Sequence, residues 1–387
     1  MWIRLAYPKQ DPRNLLLGIV LAFAMLDHTR MFFYYWNVNP TAIGETSIML
    51  FLTRFLSHFF APSIFLLLGI EMYQYGQRYG PKRLTKTLCY TAVMLLALEL
   101  VVNNFLYTFD PYYRTIGLFI LGLLGLCFLC MAGLQYLGRQ SLFVISLLLL
   151  SGHHLLDGTQ LEGNSLGSIC WYLLHQQKFI PFPDRLFIVN YTLIPWLGVL
   201  MLGYAMGKLF LPHADPAKRK HFLLRAGYSS LALFFMLRFT NVYGDPIGWN
   251  TYADPVKSVL SFLNLTKYPA SLAYLSLTLG AIFLFLGYTA NCRGNKIFPF
   301  YALGRRPLFI YLFSTFLIHL MAMVILGLTG KDPAAMLITS RSYTSAGPLT
   351  QYGYSIGVVY LIWIGILLLC YAVNAFLDYL MNRKSNF

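Results

Sequence analysis

Asp27, His28 and Arg30 interrupt the apolar run "LLLGIVLAFAMLDHTRMFFYYW". A histidine beside a carboxylate can act as a general base or a covalent acyl carrier, because the carboxylate fixes its tautomer. On a helix the three side chains form one polar wedge, and Asp27 can reach Arg30 at i,i+3. A plainer reading stays open, in which Asp27 and Arg30 neutralise each other, anchor the helix end and leave His28 a bystander. Ionisable residues inside a membrane are costly and usually mark function. A second stretch, "TRFLSHFFAPSIF", places Arg54 and His58 at i,i+4 on one face. Pro62 removes the amide that would bond the His58 carbonyl, so a break beside this histidine is predicted. The expected catalytic set is His28 as base or acyl carrier, Asp27 orienting it, and Arg30, Arg54 and His58 around them.

Further polar residues collect near the same expected depth. Asn103 and Asn104 end one apolar run, Asn190 and Tyr191 open another, and His319 lies about midway in a later one. Arg238 and Asn241 precede "VYGDPIGW", which holds Asp245, while Lys267 and Tyr268 enter the next run. Arg238, Asn241, Asp245, Lys267 and Tyr268 are the expected acceptor-facing residues of a chamber open to the outside. Arg and Asn can steady an oxyanion in a dry site. The chain has no H-E-x-x-H and no Walker loop, so hydrolysis by those devices is unsupported. No zinc-type cysteine and histidine spacing is present, and no metal is expected. Cys127 and Cys130 are read as small packing residues in an apolar run, like most of the six cysteines.

The elements that must hold these residues are membrane helices. Of 387 residues, 58% are hydrophobic and only 11% charged, too apolar a balance for a soluble interior of this size to absorb. A spanning helix needs about 20 mainly apolar residues. Ten candidate spans run approximately over 14–36, 50–73, 87–108, 115–137, 140–155, 189–210, 224–242, 269–290, 307–328 and 352–380. The fold expected is therefore an all-α polytopic membrane bundle forming a single domain over 1–387. No cleavable signal peptide is expected, because the first run is long and no small-residue cleavage site follows it.

The net charge of +15 follows topology and does not point to nucleic acid. With the N-terminus inside, the inner segments collect Arg4, Lys9 and Arg13, then Arg78, Lys82, Arg83 and Lys86, then Arg139. They go on to collect Lys208, Lys218, Arg219, Lys220 and Arg225, then Arg293, Lys296, Arg305 and Arg306, and last Arg383 and Lys384. These are 19 of the 29 Lys and Arg. The asymmetry fits the positive-inside rule with both termini cytoplasmic. The outer face then holds three longer segments, 156–188, 243–268 and 329–351. His28 would lie roughly 21 Å above the inner boundary at 1.5 Å per residue, in the outer third of the bilayer.

Six stretches carry a resemblance: "LDHTRMFF", "FLTRFLSHFFAPSIFLLLG", "YTLIPWLGVLMLGYAMG", "LRFTNVYGDPIGW", "SFLNLTKYPASLAYLSLTLG" and "LGRRPLFIYL". With them the chain resembles the heparan-α-glucosaminide N-acetyltransferase catalytic-domain family, especially its bacterial branch. The resemblance implies a transmembrane acyltransferase that takes acetyl groups from cytoplasmic acetyl-CoA and passes them to a sugar on the far side. It also implies that Lys82 and Arg83 of "GPKRLTK", and Arg305 and Arg306 of "GRRP", hold the CoA phosphates. The chain departs from the family at Ala270, where a second proline is common. It departs again at Asn37-Val38-Asn39-Pro40, which lacks the histidine that follows the first helix in the lysosomal branch. His28 is the nearest substitute.

The expectation is thus an acetyl-CoA-dependent acyltransferase integral to a bacterial inner or plasma membrane. Its expected partners are the bilayer and a sugar or glycan acceptor, with a homodimer left open. The alternatives are a transporter of a small polar or anionic solute, which a repeat and broken midplane helices would favour, and a structural protein.

Overall fold

A computed structural model describes residues 7, 11–290, 298–343, 349–350 and 352–384. Arg4, Lys9, Arg293, Lys296 and Cys292, used in the sequence reading, lie outside the described residues, as does part of segment 329–351. Of the described residues, 72% are helical. Its helices are α1 Pro12–Phe33, α2 Ile48–Ser57, α3 Phe60–Tyr79, α4 Pro81–Ala97, α5 Asn104–Thr108, α6 Ile120–Leu134, α7 Arg139–Gly152 and α8 Leu166–Leu174. They continue with α9 Leu193–Met206, α10 Pro216–Thr240, α11 Pro255–Leu263, α12 Leu272–Thr289, α13 Phe298–Gly304, α14 Pro307–Leu328 and α15 Ile356–Lys384.

Helix starts follow from local chemistry. Asp11, Asp215 and Asp254 each stand before a proline and accept a hydrogen bond from a first-turn amide, as N-caps of α1, α10 and α11. Ser47 and Ser271 cap α2 and α12 in the same way. The break expected beside Pro62 is present, since α2 ends at Ser57 and α3 begins at Phe60. A π-helical segment over Leu98–Asn103 joins α4 to α5.

Among the described residues, nine helical segments are long and apolar enough to cross a membrane. The fifth expected span is the short one. α7 has 14 residues and passes into a 3-10 turn over His153–Leu156. The span expected from 115 instead starts at Ile120, because Thr115–Leu118 forms a strand, β1. β1 pairs in parallel with β3, Leu186–Val189, and β3 pairs antiparallel with β2, Lys178–Pro181. Short strands of this kind carry no long apolar pattern, so the hydropathy reading passed over them.

The described fold divides into two compact units. One contains Ala61–Asn104 and Arg114–Asn291. Within it α4 packs on α6, α7 on α9, and α10 on α12. Gly69 and Gly203 let the α3 and α9 backbones meet: a Cβ at Gly69 would stand 2.1 Å from the Leu200 carbonyl oxygen, and one at Gly203 2.1 Å from that of Leu66. Apolar attraction between helices is weak in lipid, and small residues at the crossing gain close van der Waals packing. The other unit contains Ala6–Phe60, Phe105–Tyr113 and Cys292–Phe387. There α1 is the central element, packed on α2, α13, α14 and α15. α15 buries little of its surface and presents Leu361, Ile364, Leu368, Leu369 and Phe376 outward, as a lipid-facing helix does.

Candidate active site

The unit built on α1 gathers the residues expected to do chemistry. Asp27 is buried at 6% exposure. Its Oδ1 accepts from Arg30 Nη2 at 2.9 Å and Nε at 3.3 Å, one helical turn on. Its Oδ2 accepts from Arg54 Nη1 at 2.7 Å and from Ser57 Oγ at 2.9 Å, both on α2. Ser57 follows Arg54 by three residues, so one face of α2 delivers both donors to the same oxygen. The side chains of Arg30 and Arg54 keep 13% and 24% of their surface exposed. One carboxylate is thus shared by two guanidinium groups and a hydroxyl.

His28 is partly buried beside this cluster on α1. Its Nε2 lies 2.6 Å from the hydroxyl of Tyr107. The His28 ring stands edge to face with Tyr107 at 5.4 Å and with Tyr311 of α14 at 6.0 Å. A tyrosine hydroxyl therefore faces Nε2. His58 is buried at the α2 break, its ring centre 5.9 Å from Phe55. His319 sits one helical level from His28, between the rings of Phe32 at 4.4 Å and Phe109 at 4.2 Å. Its ring nitrogens face the carbonyls of Leu106 at 3.1 Å and Met336 at 3.0 Å. It thereby ties α14 to the segment that carries Tyr107.

Arg305 and Arg306 belong to the same unit, between α13 and α14. Both bind Asp378 of α15. Arg306 reaches Oδ1 at 2.7 Å, and also Asn374 Oδ1 at 2.6 Å, while Arg305 pairs with Oδ2. Their charge is partly neutralised within the protein.

The remaining expected residues lie in the other unit. Lys82 and Arg83 are exposed in the first turn of α4, with Arg83 over the Tyr79 ring at 4.9 Å. Arg238 is only 1% exposed. It donates to the carbonyls of Phe262, Ile247, Ser261 and Asn264 at 2.9–3.4 Å. Asn241 adopts a left-handed conformation at the end of α10 and pairs with both the amide and the carbonyl of Trp249. Asp245 accepts from Thr266, Ser271 and the Ile247 amide. These three side chains organise the loop between α10 and α12. Lys267 is 8% exposed, its Nζ 5.5 Å from the centre of the Tyr268 ring.

Sequence reasoning passed over Ser57, Tyr107 and Tyr311. Ser57 was findable from its spacing to Arg54, but the tyrosines meet His28 through long-range packing that one sequence does not display. It also passed over Glu99 in the π-helical segment. Glu99 is fully buried, accepting from Asn103 Nδ2 at 2.7 Å and from the Gly122 amide at 2.8 Å. A single carboxylate in an apolar run was the signal.

Fold and site together define a polytopic, integral membrane protein with a charged and histidine-bearing cluster on its spanning helices. Residues 16–238, more than half of the chain, match the family described as heparan-alpha-glucosaminide N-acetyltransferase, catalytic. The chain belongs to that family. No curated protein matches it. The matched region contains Asp27, His28, Arg30, Arg54, Ser57 and Tyr107.

Proposed function

We propose that the protein transfers an acetyl group from cytoplasmic acetyl-CoA to a hydroxyl or amine of a sugar on the outer face of a bacterial inner or plasma membrane. The observation that carries this reading is the match of residues 16–238 to an acetyltransferase family, within which the cluster around Asp27 supplies groups suited to the reaction. The acceptor O–H or N–H attacks the thioester carbonyl, and its proton passes to His28 Nε2 once the acceptor has replaced the Tyr107 hydroxyl there. Arg54 and Arg30 stabilise the oxyanion that forms. The C–S bond then breaks, and the CoA thiolate recovers the proton from His28. A variant of the same chemistry forms an acetyl-imidazole at His28 first and hands the acetyl group to the acceptor in a second step. Asp27 holds the two guanidinium groups in place throughout.

Sidedness rests on the basic inner segments, with α7 counted as a short span. The exposed Lys82 and Arg83 provide cationic groups for CoA phosphates, and Arg305 and Arg306 do so where Asp378 yields them. Calorimetry with acetyl-CoA and free CoA on purified protein in nanodiscs tests the donor. Saturable binding, followed by transfer of labelled acetyl to a sugar panel, is the expected result. Absence of binding in folded protein refutes the donor assignment, and uptake of a solute into proteoliposomes without CoA release would replace the enzyme with a transporter.

A further inference from the structure

The segment after α7, in the unit that contains Arg114–Asn291, gathers four side chains able to bind a metal. His153 and His154 open the 3-10 turn, and Asp157 follows it. Such a turn repeats every three residues, so His154 and Asp157 share one side. His154 Nδ1 lies 2.7 Å from Asp157 Oδ2, and His175 Nε2, at the end of α8, lies 2.9 Å from Asp157 Oδ1. Ligand atoms of His153, His154 and Asp157 fall within 4.8 Å of one another. His153 and His175 are each 2% exposed. Neither ring nitrogen of His153 has a partner at full hydrogen-bond geometry; the Ala270 carbonyl is close enough to act on the His153 ring, and His175 meets the cluster through Nε2. Buried polar atoms left this way are costly and call for a ligand.

Geometry separates ligands from supporting groups. Two imidazoles on one tetrahedral ion, each bonded at about 2.1 Å, keep their ring centres roughly 5 Å apart. His153 and His175 stand 5.4 Å apart with their planes at 69°. His153 and His154 stand 4.2 Å apart at 34°, closer than two rings on one tetrahedral ion. The Leu272 amide also donates to His154 Nε2 at 2.9 Å. That ring must then carry its proton on Nδ1, where it donates to Asp157. A carboxylate held by an imidazole N–H is the support that metal-binding carboxylates commonly have.

We infer that His153, Asp157 and His175 form a binding site for a divalent transition metal of the zinc class. His154 holds the second oxygen of Asp157, and the Ala270 carbonyl takes the far side of the His153 ring. Two imidazoles and one carboxylate leave a fourth position for water or for an oxygen of a bound molecule. The set escapes a search for cysteine and histidine spacing, because it joins His153 and Asp157 on one turn to His175 on another helix.

The test is calorimetric titration of zinc chloride into the full chain in nanodiscs after chelator treatment, with visible absorption of the cobalt form as a second readout. One equivalent is expected to bind at micromolar Kd or tighter. His153→Ala and Asp157→Asn are expected to weaken binding at least 100-fold, while His154→Gln weakens it about 10- to 100-fold and preserves the stoichiometry, as loss of a supporting group does. Asp157→Asn keeps the shape of the cluster, so the test survives a folding defect in His153→Ala. Failure of folded wild-type protein to bind zinc saturably overturns the site. So does wild-type affinity in folded Asp157→Asn.

Discussion

Replacing Asp27 with asparagine tests whether the shared carboxylate governs the site. The substitution keeps the shape and one oxygen acceptor but removes the charge that pairs Arg30 at 2.9 Å and Arg54 at 2.7 Å. Two unit charges about 4 Å apart attract by about 4 kcal/mol at an effective dielectric of 20. Breaking a buried ion pair from one side costs about 3–5 kcal/mol. Both guanidinium groups retain some contact with solvent, which lowers the expected loss to roughly 2–4 kcal/mol. At about 2.1 cal/mol/K per residue, a chain of 387 residues should then melt about 2.5–5 °C lower. Thermal melting in nanodiscs measures this, with Arg54→Gln made alone and together with Asp27→Asn. The double variant should recover part of the loss, because it no longer carries the Arg54 guanidinium that loses the Asp27 carboxylate. Unchanged melting in Asp27→Asn, or strictly additive losses in the double variant, would refute the reasoning.

Four further outcomes follow from the geometry. His28→Ala should abolish acetyl transfer while leaving the melt within about 1 kcal/mol of wild type. Tyr107→Phe, which removes the 2.6 Å partner of His28 Nε2, should change transfer by less than His28→Ala does; equal transfer rates in His28→Ala and wild type would remove the histidine from the mechanism. Arg238→Met should destabilise by about 3 kcal/mol or more, since it strands buried carbonyls, and melting without a substrate reports it. Asp378→Asn frees Arg305 and Arg306 from their shared carboxylate, so acetyl-CoA should bind several-fold tighter by calorimetry if these arginines hold its phosphates.

The membrane architecture was legible because its signal is long. Runs of about 20 apolar residues outweigh local detail, and the Pro62 break acts within a few residues of chain. Asp27 with Arg30 was legible for the same reason, as an i,i+3 pair. What one sequence withholds is contact between distant segments. Tyr107 and His28 lie 79 residues apart, and His175 joins Asp157 from 18 residues away. Arg238 and Asp245, expected on an acceptor-facing surface, also hold the loop that follows α10, Arg238 donating to the Phe262 carbonyl and Asp245 accepting from Thr266.

The structure also bears on the plainest reading of α1, in which Asp27 and Arg30 neutralise each other to anchor a helix end. A neutral pair needs one arginine. Arg54 adds a second from α2, and Ser57 occupies the same Oδ2 with a hydroxyl that carries no charge. The triad of Asp27, Arg30 and Arg54 therefore carries a formal charge of +1 on helices suited to a membrane. An acyl-transfer site gains an anion when the thioester carbonyl becomes an oxyanion, and preorganised guanidinium groups bind that transition state more tightly than the neutral ground state. On this argument Arg54→Gln should cost more in the rate of transfer than in acetyl-CoA affinity, whereas an anchoring role predicts a change in stability with the rate per folded molecule untouched.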